Sequence, residues 1–497
     1  MRIAPRSRVK DRVLLYWVGG LMGLVCLATA LVSCGGGMNT MSGGGTGTIN
    51  VSLTDPPSCK FPNGAFDHVY VTIRSVQANM SATADDNSGG WQELAPQLNA
   101  QPKQIDLFAA ASNTCLLTAL GSNTALPVGT YQQIRLLLVP NDGGGGPLPA
   151  TNACAGQGFN CVFLHGVSTP AELQLSSQAN TGLKIPPGQI VGGPITVTAG
   201  MNIDLNIDFN ACASIIQQGN GQFRLKPVLT AGQVSTNNTG ISGQVVDAMT
   251  LQPISLLTSG TVLVALEQQD NTGTDVIFEQ TVADSNGNFN FCPLPSAATF
   301  DVVAVAINGA GVAYNASVAV GVPGGTNLGM IPLTPETGST GPTTFQGFVT
   351  ATSGSMAASI DASVSALQTI SIGNNVTRDV TIPAEGASIA NFSVSSNTGC
   401  PSGAPLNSNC AEYTLIEPAS NPRVGIFSGG TITSYSIPPI TDVLYKIRAS
   451  AAVPLNGGTS DCVPSSVTTS QDASNNSLKA IAGTTVTVKE IDFSSCS

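Results

Sequence analysis

Few side chains in this sequence have the types and spacing that catalysis needs. The 497 residues include only two histidines, His68 and His165, which nearly excludes mechanisms that depend on a histidine cluster. No Gly-x-Ser-x-Gly occurs, although this turn presents the serine nucleophile in many hydrolases. Zinc binding is disfavoured because no Cys-x-x-Cys occurs and neither histidine has metal-ligand spacing from a cysteine pair. We therefore expect no cofactor, and we interpret His68, which follows Asp67 on the polar side of a predicted strand, as a surface histidine.

The acidic residues suggest two further kinds of site, a glycoside hydrolase pair and a calcium site. Two acids such as Asp55 and Asp67 could serve a glycoside hydrolase, but nothing singles out a pair and both positions suit turns. Five polar residues alternate with apolar ones, so they share one sheet face at about 7 Å spacing. They are Asn202, Asp204, Asn206, Asp208 and Asn210. Calcium needs about six to eight converging oxygens, so we predict a solvated face and no metal site, with Asp204 and Asp208 as weak candidates.

The charge pattern limits the partners. Lysine and arginine number 18 against 29 acids, for a net charge of −11, which argues against a nucleic-acid partner held by a basic surface. Charged residues are only 9% of the chain, so the surface must consist of serine, threonine, asparagine, glutamine and glycine. Five of the basic residues and one acid precede Cys34, which leaves the remainder with 13 bases and 28 acids.

The N-terminus has the pattern of an export signal. Basic residues precede an apolar run from Val13 to Val32, as in secretory signals. The segment Leu31-Val32-Ser33-Cys34 resembles a bacterial lipobox, which implies cleavage before Cys34 and membrane attachment through lipid on that cysteine. An uncleaved helical anchor and ordinary signal cleavage stay open as alternatives. Gly35 after the cysteine favours the outer membrane or cell surface of a bacterium, and the glycine-rich residues 34–47 form a flexible tether.

After residue 47, apolar residues recur at every second position. Ile49, Val51 and Leu53 alternate with polar residues, as do Val69 and Val71, and clusters of Gly, Pro, Asn and Asp separate such runs. One stretch, 105–120, could hold a short helical turn. The fold class is therefore all-β, with tandem β-sandwiches of immunoglobulin or transthyretin type after an N-terminal signal helix (residues 1–33) and a flexible linker.

Residues 48–235 contain a series of short motifs in a recognisable order. They include GTINVSLTD at 47–55, VYVTI at 69–73, LPVGTYQQIRL at 126–136, GLKIP at 182–186, DLNIDF at 204–209 and LKPVL at 225–229. This order resembles a lipoprotein family catalogued as domain of unknown function 4382. The resemblance implies an envelope location and a sandwich-like fold, and it implies no activity.

Two further segments follow. Residues 241–335 begin with ISGQVVD and continue with TVADSNGNFNF at 281–291, which resembles the carboxypeptidase regulatory-like (transthyretin-like) sandwich, an accessory module without peptidase chemistry. Asp284–Asn288 resembles a calcium loop but suits a hairpin turn, because Asn286 and Gly287 accept positive φ. After a linker at 337–342, residues 343–497 alternate again and form a C-terminal β-rich, disulfide-bonded domain.

The cysteines indicate an oxidising compartment. Without Cys26 in the signal and Cys34 under lipid, ten remain, and an even number in an exported chain implies disulfides. The sequence does not determine which cysteines pair. The preferred pairs are Cys154–Cys161, which closes a short glycine-containing loop, Cys59–Cys115 in the same domain, and Cys400–Cys410 and Cys462–Cys496 in the last segment. Cys212 and Cys292 remain, either as a bridge between domains or as two free thiols.

These features favour a non-catalytic envelope protein that acts as a surface binding, adhesion or scaffold component. Its partner would be an envelope polymer, a glycan or a protein. Loops on rigid scaffolds commonly carry recognition, and the candidates are the Asn141–Pro147 and Cys154–Cys161 loops. Trp91 follows a Gly-Gly turn and is expected to pack rather than to stack on a sugar. Two alternatives stay open: a carbohydrate-active hydrolase with an Asp/Glu pair, and a structural component of a surface layer or filament.

Overall fold

The protein is described by a computed structural model that covers most of the chain. The described residues are 45–54, 66–85, 87–108, 118–164, 166–175, 182–185, 187–191, 193–209, 211–218, 221–226, 228–234, 240–256, 260–270, 272–291, 294, 299–336, 341–438, 442–451 and 462–496. The predicted signal segment and Cys34 lie outside these residues, as do His165, Asp55 and Asn210. Residues 44–497 form one compact unit.

The all-β prediction is confirmed. Helical geometry in the described residues is limited to short turns at Pro96–Asn99, Pro187–Gln189 and Ala211–Ser214. The helical turn expected within 105–120 falls mostly on residues outside the description. Of the described ones, 105–106 and 118–120 belong to strands, and Leu107 and Phe108 form a turn.

The first part of the chain forms two main sheets around one core, and β6 and β12 form a further two-stranded sheet. Its strands are β1 Thr46–Thr54, β2 Phe66–Asn79, β3 Gln92–Glu93, β4 Lys103–Asp106, β5 Thr118–Pro127, β6 Gly129–Tyr131, β7 Gln133–Leu138, β8 Cys161–Leu164, β9 Ala171–Leu175, β10 Leu183–Ile185, β11 Ile190–Val191, β12 Ile195–Val197, β13 Asn202–Phe209, β14 Ile215–Gln217, β15 Phe223–Leu225 and β16 Leu229–Gln233. One sheet has the order β11-β16-β13-β1-β5, and the other is organised around β2. The alternation seen in β1 places Ile49, Val51 and Leu53 in the core between them.

The second part has the strands β17 Ile241–Asp247, β18 Thr261–Gln269, β19 Thr274–Val282, β20 Asn288–Phe291, β21 Thr299–Ile307, β22 Ala313–Pro323 and β23 Asn327–Leu333. β17 lies between β20 and β23, while β18 lies between β19 and β21. The predicted turn is present: the Gly287 N–H donates to the Asp284 carbonyl at 2.8 Å, with φ +77°. Only glycine fits there, since a Cβ would lie 2.2 Å from the Val245 carbonyl oxygen.

The third part has the strands β24 Thr343–Ser353, β25 Met356–Ala357, β26 Ile360–Ser371, β27 Thr377–Ile382, β28 Glu385–Ile389, β29 Asn391–Val394, β30 Asn409–Glu417, β31 Arg423–Ser428, β32 Thr431–Ile432, β33 Lys446–Ser450, β34 Ser466–Thr469, β35 Thr485–Thr487 and β36 Ile491–Phe493. β24 pairs with β30 over nine positions, from Thr343↔Glu417 to Ala351↔Asn409. It also pairs in parallel with β35 and β36, which brings the end of the chain back into the sheet.

The sheets continue from one part to the next. β22 pairs in parallel with β31, β19 pairs with β27, and β14 of the first part meets β29 at Gln217↔Phe392. Val302, Val303, Ala304, Val305 and Ala306 of β21 are all fully buried. Alternate residues of this run enter two different cores, one within the second part and one shared with the third. Strands with both faces covered are continuous apolar runs in the sequence, and residues 302–306 of β21 form such a run.

Three disulfides are present among the described residues. They join Cys154 to Cys161, Cys400 to Cys410 and Cys462 to Cys496, which are the pairings named from the sequence. Cys59, Cys115 and Cys292 lie outside the described residues, so the pairings named for them and for Cys212 stay predictions.

Candidate functional site: an aromatic patch and two braced loops

The polar row of β13 is solvated only at its start, where Asn202 is exposed, and its end is buried, which differs from the fully solvated face expected from sequence. β1 lies parallel to β13 in a register that pairs each polar residue with one of the row, from Thr48↔Asn202 to Thr54↔Asp208. Asn50 Nδ2 donates to Asp204 Oδ1 at 2.7 Å, and Asn206 Nδ2 donates to Thr54 Oγ1 at 2.8 Å. Asn206 and Asp208 are only 8% and 6% exposed, because the end of the row is covered by other strands.

The buried end of this row contains an acid pair. Asp208 lines a small cavity together with Thr230 of β16 and with Phe278 and Glu279 of β19. Burial raises the pKa of Asp208 to about 7, and burial and the Asp208 charge raise the pKa of Glu279. No three His, Cys, Asp or Glu side chains in the described part of the chain are grouped so that they could hold a metal ion. The row therefore joins strands of the first and second parts.

A second buried acid group lies between the second and third parts. Arg378 of β27 donates from Nη1 to Asp301 Oδ2 at 2.6 Å and lies 3.5 Å from Asp275 Oδ2. Glu267, which is fully buried, accepts the Thr381 N–H at 3.1 Å. Burial, reinforced by the neighbouring Asp301, raises the pKa of Asp275 to about 8. Asp275 and Asp301 are 1% and 3% exposed, so this pair of carboxyls faces no groove in which a glycan could be cleaved.

The third part contains further buried carboxyls. Glu417 is fully buried and neither carboxyl oxygen has a hydrogen-bond partner among the described residues. Burial and then the neighbouring Glu385 raise the pKa of Glu417, and burial and then Glu336 raise that of Glu385. Burial therefore favours the uncharged form of these neighbouring carboxyls.

A partly exposed cluster lies on the outer face of β2, and we call it the aromatic patch: His68, Tyr70, Phe163 and Asp106. Register places His68 opposite Phe163 of β8 and Tyr70 opposite Asp106 of β4, so all four side chains share one face. The His68 side chain is 49% exposed, and the Tyr70 and Phe163 side chains are half-buried. Burial and the Asp106 charge raise the pKa of Tyr70, which keeps its hydroxyl protonated.

Asp106 holds the imidazole in place. Asp106 Oδ1 accepts the Val69 and Phe108 N–H groups at 3.3 and 3.1 Å, and Oδ2 lies 2.6 Å from His68 Nδ1. Since a carboxylate only accepts, Nδ1 donates and Nε2 is left at the exposed edge of the ring. His68 is on the surface, as expected, but its carboxylate partner is Asp106 rather than its neighbour Asp67, which accepts the Gly166 N–H at 3.0 Å.

The two predicted recognition loops lie beside this patch and brace each other. Asn141 Oδ1 accepts N–H groups of Phe159 and Asn160, and its Nδ2 donates to the Leu173 carbonyl at 2.9 Å. Asn160 is fully buried and donates to the Val139 carbonyl at 2.8 Å. The loops are therefore rigid where they join the sheet.

The same loops are attached to the strands of the patch. Gln104 of β4 donates to the Phe159 carbonyl at 3.0 Å and accepts the Ala153 N–H. Thr72 Oγ1 also donates to the Phe159 carbonyl, at 2.6 Å. The Cys154–Cys161 disulfide is buried, and Cys161 lies opposite Tyr70 in the pairing of β2 with β8, so the loop joins the sheet next to the aromatic patch.

Replacing Asn141 with alanine should loosen both loops. The change leaves the Phe159 and Asn160 N–H groups without their acceptor, which costs about 1–3 kcal/mol. Hydrogen exchange of amides 141–160 should accelerate while the β13 and β21 amides stay protected. Asn87→Ala, at an exposed turn, is the control and should change neither; unchanged exchange in the Asn141 variant would contradict the bracing role.

Trp91 packs, as expected. The Arg135 guanidinium lies 4.0 Å from the centroid of its ring, and Trp91 Nε1 donates to the Asp85 carbonyl at 3.2 Å. One face of the indole is therefore occupied by a cation–π contact and is closed to a ligand.

Comparison with known families identifies the segment that carries this site. Residues 46–227 match DUF4382, a domain of unknown function. The predicted family resemblance of the first part is thus confirmed with slightly different bounds. The aromatic patch and both loops lie within the DUF4382 segment. The carboxypeptidase regulatory-like resemblance of residues 241–335 stays a prediction.

Solved structures show only distant similarity. A mutant of the shaft pilin SpaA from Lactobacillus rhamnosus GG is 10% identical, with 59% of this chain and 98% of that chain covered and a TM-score of 0.16. BcpA, the major pilin subunit of Bacillus cereus, is 9% identical over 90% of this chain and 99% of that chain, with a TM-score of 0.11. At such TM-scores the alignments carry no argument about function. A search of curated proteins finds no match.

Proposed function

We propose that this protein is a non-catalytic, lipid-anchored component of the bacterial cell envelope that acts in surface binding, adhesion or scaffolding. The observation that supports it best is that outward-facing loops are attached by hydrogen bonds to a continuous β-sheet body. Shared sheets and a shared core join the second and third parts, and the loops of the DUF4382 segment are tied to the sheet that carries the aromatic patch. A body of this kind displays a fixed surface to a partner.

The anchor is proposed from Cys34 and the apolar run before it. No helix in the described part of the chain has the length and hydropathy needed to span a bilayer. In the proposed arrangement, the lipid determines where the protein is held and the glycine-rich tether gives the body its reach.

The anchor is tested by replacing Cys34 with alanine in the full-length chain. Most of the protein should move from the membrane fraction to the soluble fraction, because stable attachment needs the acyl chains. Cys26→Ala, inside the apolar run, is the matched control and should stay with the membrane. If the Cys34 variant also stays with the membrane, an uncleaved helix is the anchor and the lipid proposal is wrong.

The binding role is tested by screening the full-length chain against glycans, isolated envelope polymers and envelope proteins. We expect saturable binding to at least one of these. Absence of binding to every class would contradict the proposed function.

A further inference from the structure

Exposed apolar side chains lie together where the described part of the chain begins. Met80, Val128 and Met201 belong to three separate segments and are 40%, 40% and 38% exposed. Single exposed apolar residues are ordinary on a protein surface, whereas several at one place indicate a contact surface. We call these three residues the apolar end.

Backbone hydrogen bonds place two of these residues beside the start of β1. The Val128 N–H donates to the Gly45 carbonyl at 3.1 Å, and the Thr48 N–H donates to the Met201 carbonyl at 2.8 Å. Val128 and Met201 therefore lie next to the first described residues, from which the chain leads back to Cys34.

Met80 completes the apolar end. It follows β2, and its side chain covers Gly129 so closely that a Cβ on that glycine would overlap with Met80 Cε. Gln132 Nε2 donates to the Met80 carbonyl at 2.8 Å, which fixes the backbone at this position. Since Gly129 directly follows Val128, Met80 and Val128 lie side by side.

The segments that form this end are uncharged, although the chain has a net charge of −11. No Asp, Glu, Lys or Arg occurs in residues 45–54, 75–84, 118–134 and 193–203. The first acid after Met80 is Asp85, and Lys184 lies close enough to interact with it. Anionic lipids give a membrane a negative surface potential, which repels acidic regions, so the apolar end can approach such a surface without that repulsion.

The length of chain before the body limits how far this end can lie from a membrane. Residues 34–44 number eleven, and a chain of eleven residues spans at most about 40 Å when fully extended. Attachment through one site raises the effective concentration of a second site to about the millimolar range. Apolar contacts that are too weak to bind a membrane alone are therefore sufficient here.

We propose that the apolar end docks on the lipid bilayer that holds the anchor, an inference that rests on the proposed membrane attachment at Cys34. Met80, Val128 and Met201 enter the boundary between headgroups and acyl chains, where apolar side chains leave water. Attachment and docking together determine the orientation of the first part, which attachment alone does not.

Docking in this way directs the aromatic patch away from the membrane. β2 extends from Phe66 to Asn79, with His68 near its start and Met80 directly after its end. Twelve residues of extended strand separate the two, a distance of roughly 35–40 Å. The patch and the loops beside it are then presented to partners outside the bilayer.

Methionine oxidation tests the docked face. The full-length protein is isolated from membranes, reconstituted in vesicles of phosphatidylethanolamine and phosphatidylglycerol, and exposed to hydroxyl radicals before mass spectrometry. Met80 and Met201 should be oxidised at least about threefold more slowly than in Val128→Asp, which places a carboxylate in the apolar end, because oxidation follows exposure. Three methionines of the second and third parts, each more than half exposed, should be oxidised equally in both proteins: Met249, Met330 and Met356.

Two further variants separate docking from the effects of charge and misfolding. Leu406→Asp is the matched control, since Leu406 is 90% exposed on the third part, and it should leave Met80 and Met201 protected. Thr196→Asp adds a carboxylate at an exposed position of β12, beside β6, and should remove the protection as Val128→Asp does. The unfolding midpoints of all three variants should stay near that of the wild type.

The outcomes are distinct. Slow oxidation of Met80 and Met201 in the wild type and in Leu406→Asp, with faster oxidation in the Val128 and Thr196 variants, supports the inference. Equal rates in the wild type and in those two variants overturn it. Protection that increases with the protein-to-lipid ratio overturns it as well, because a second copy of the chain then covers the apolar end.

Failure of docking and failure of the proposed anchor are distinguishable. Oxidation is measured on the membrane-held chain, whether lipid or an uncleaved helix holds it, whereas the Cys34→Ala fractionation reports only on the lipid. If Cys34→Ala leaves the membrane while Met80 and Met201 are unprotected in the wild type, docking is wrong and the anchor stands.

Discussion

The free energy of unfolding should fall as the pH rises from about 5 to 9. The folded-state pKa of Asp208 is about 7 and that of Asp275 about 8, both above the unfolded value near 3.8. A carboxyl whose pKa is raised by folding stabilises the fold while protonated, and this contribution is lost as the pH rises through the folded pKa. Glu267 and Glu417 contribute in the same direction, because burial raises their pKa as well.

The expected loss is large. One pKa unit corresponds to about 1.4 kcal/mol, and members of a pair oppose each other's ionisation, so we expect a total of about 3–6 kcal/mol between pH 5 and pH 9. Below about pH 4 the trend should reverse. The Ser88 hydroxyl lowers the pKa of Asp85, and the Asn476 N–H lowers that of Asp472, so those contributions are lost as the pH falls.

Urea unfolding of the full-length chain at pH 5, 6, 7, 8 and 9 measures this effect. Asp275→Asn, which keeps the shape and removes the titration, should reduce the slope of the profile between pH 5 and pH 8. Asp284→Asn, at an exposed turn, is the matched control and should leave the slope as in the wild type. A stability that rises steadily from pH 5 to pH 9 would show that the buried acids do not titrate as described.

Replacing Arg378 with glutamine should destabilise the protein by about 3–5 kcal/mol at pH 8, the usual cost of removing one partner of a buried ion pair. The guanidinium is the charged partner of Asp301 Oδ2 and approaches Asp275. Without it, two carboxyls that are almost fully buried lie together with no compensating charge. The loss should be smaller at pH 5, where a proton can neutralise Asp275 instead.

A double variant tests whether the effect belongs to this pair. Arg378→Gln combined with Asp301→Asn should recover part of the lost stability, since no unpaired charge at Asp301 remains. Lys479→Gln is the surface control: its partner Asp442 and the lysine itself are 53% and 48% exposed, so the cost should be under about 1 kcal/mol. Equal losses in the Arg378 and Lys479 variants would mean that burial of the first pair has no energetic consequence.

Local patterns were enough to predict the strands and several turns. Alternation in β1 placed Ile49, Val51 and Leu53 on a buried face, and the Asn286-Gly287 step predicted a turn with positive φ. Pairing of cysteines near in sequence also matched the structure for Cys154–Cys161 and Cys400–Cys410. Both kinds of inference use interactions over a few residues, where the chain itself limits the geometry.

The polar row of β13 shows where local pattern fails. The alternation of polar and apolar residues assigned the five polar side chains to one face of the strand. This alternation contains no information about what covers that face. β1, which lies 154 residues earlier at each paired position, supplied the partners, and β19 of the second part buried Asp208. A solvated row and a buried hydrogen-bonded row have the same alternation.

The sequence by itself determined that this chain is all-β, acidic, rich in cysteine and poor in histidine. Only the tertiary structure shows that Asp106 contacts His68 and that Phe163 packs against Tyr70. It also shows that Arg378 lies close to both Asp275 and Asp301. The reason is physical: alternation specifies which residues share a face of one strand, whereas strand register and sheet packing decide which distant faces meet. Both the aromatic patch and the buried acid groups depend on strand register and sheet packing.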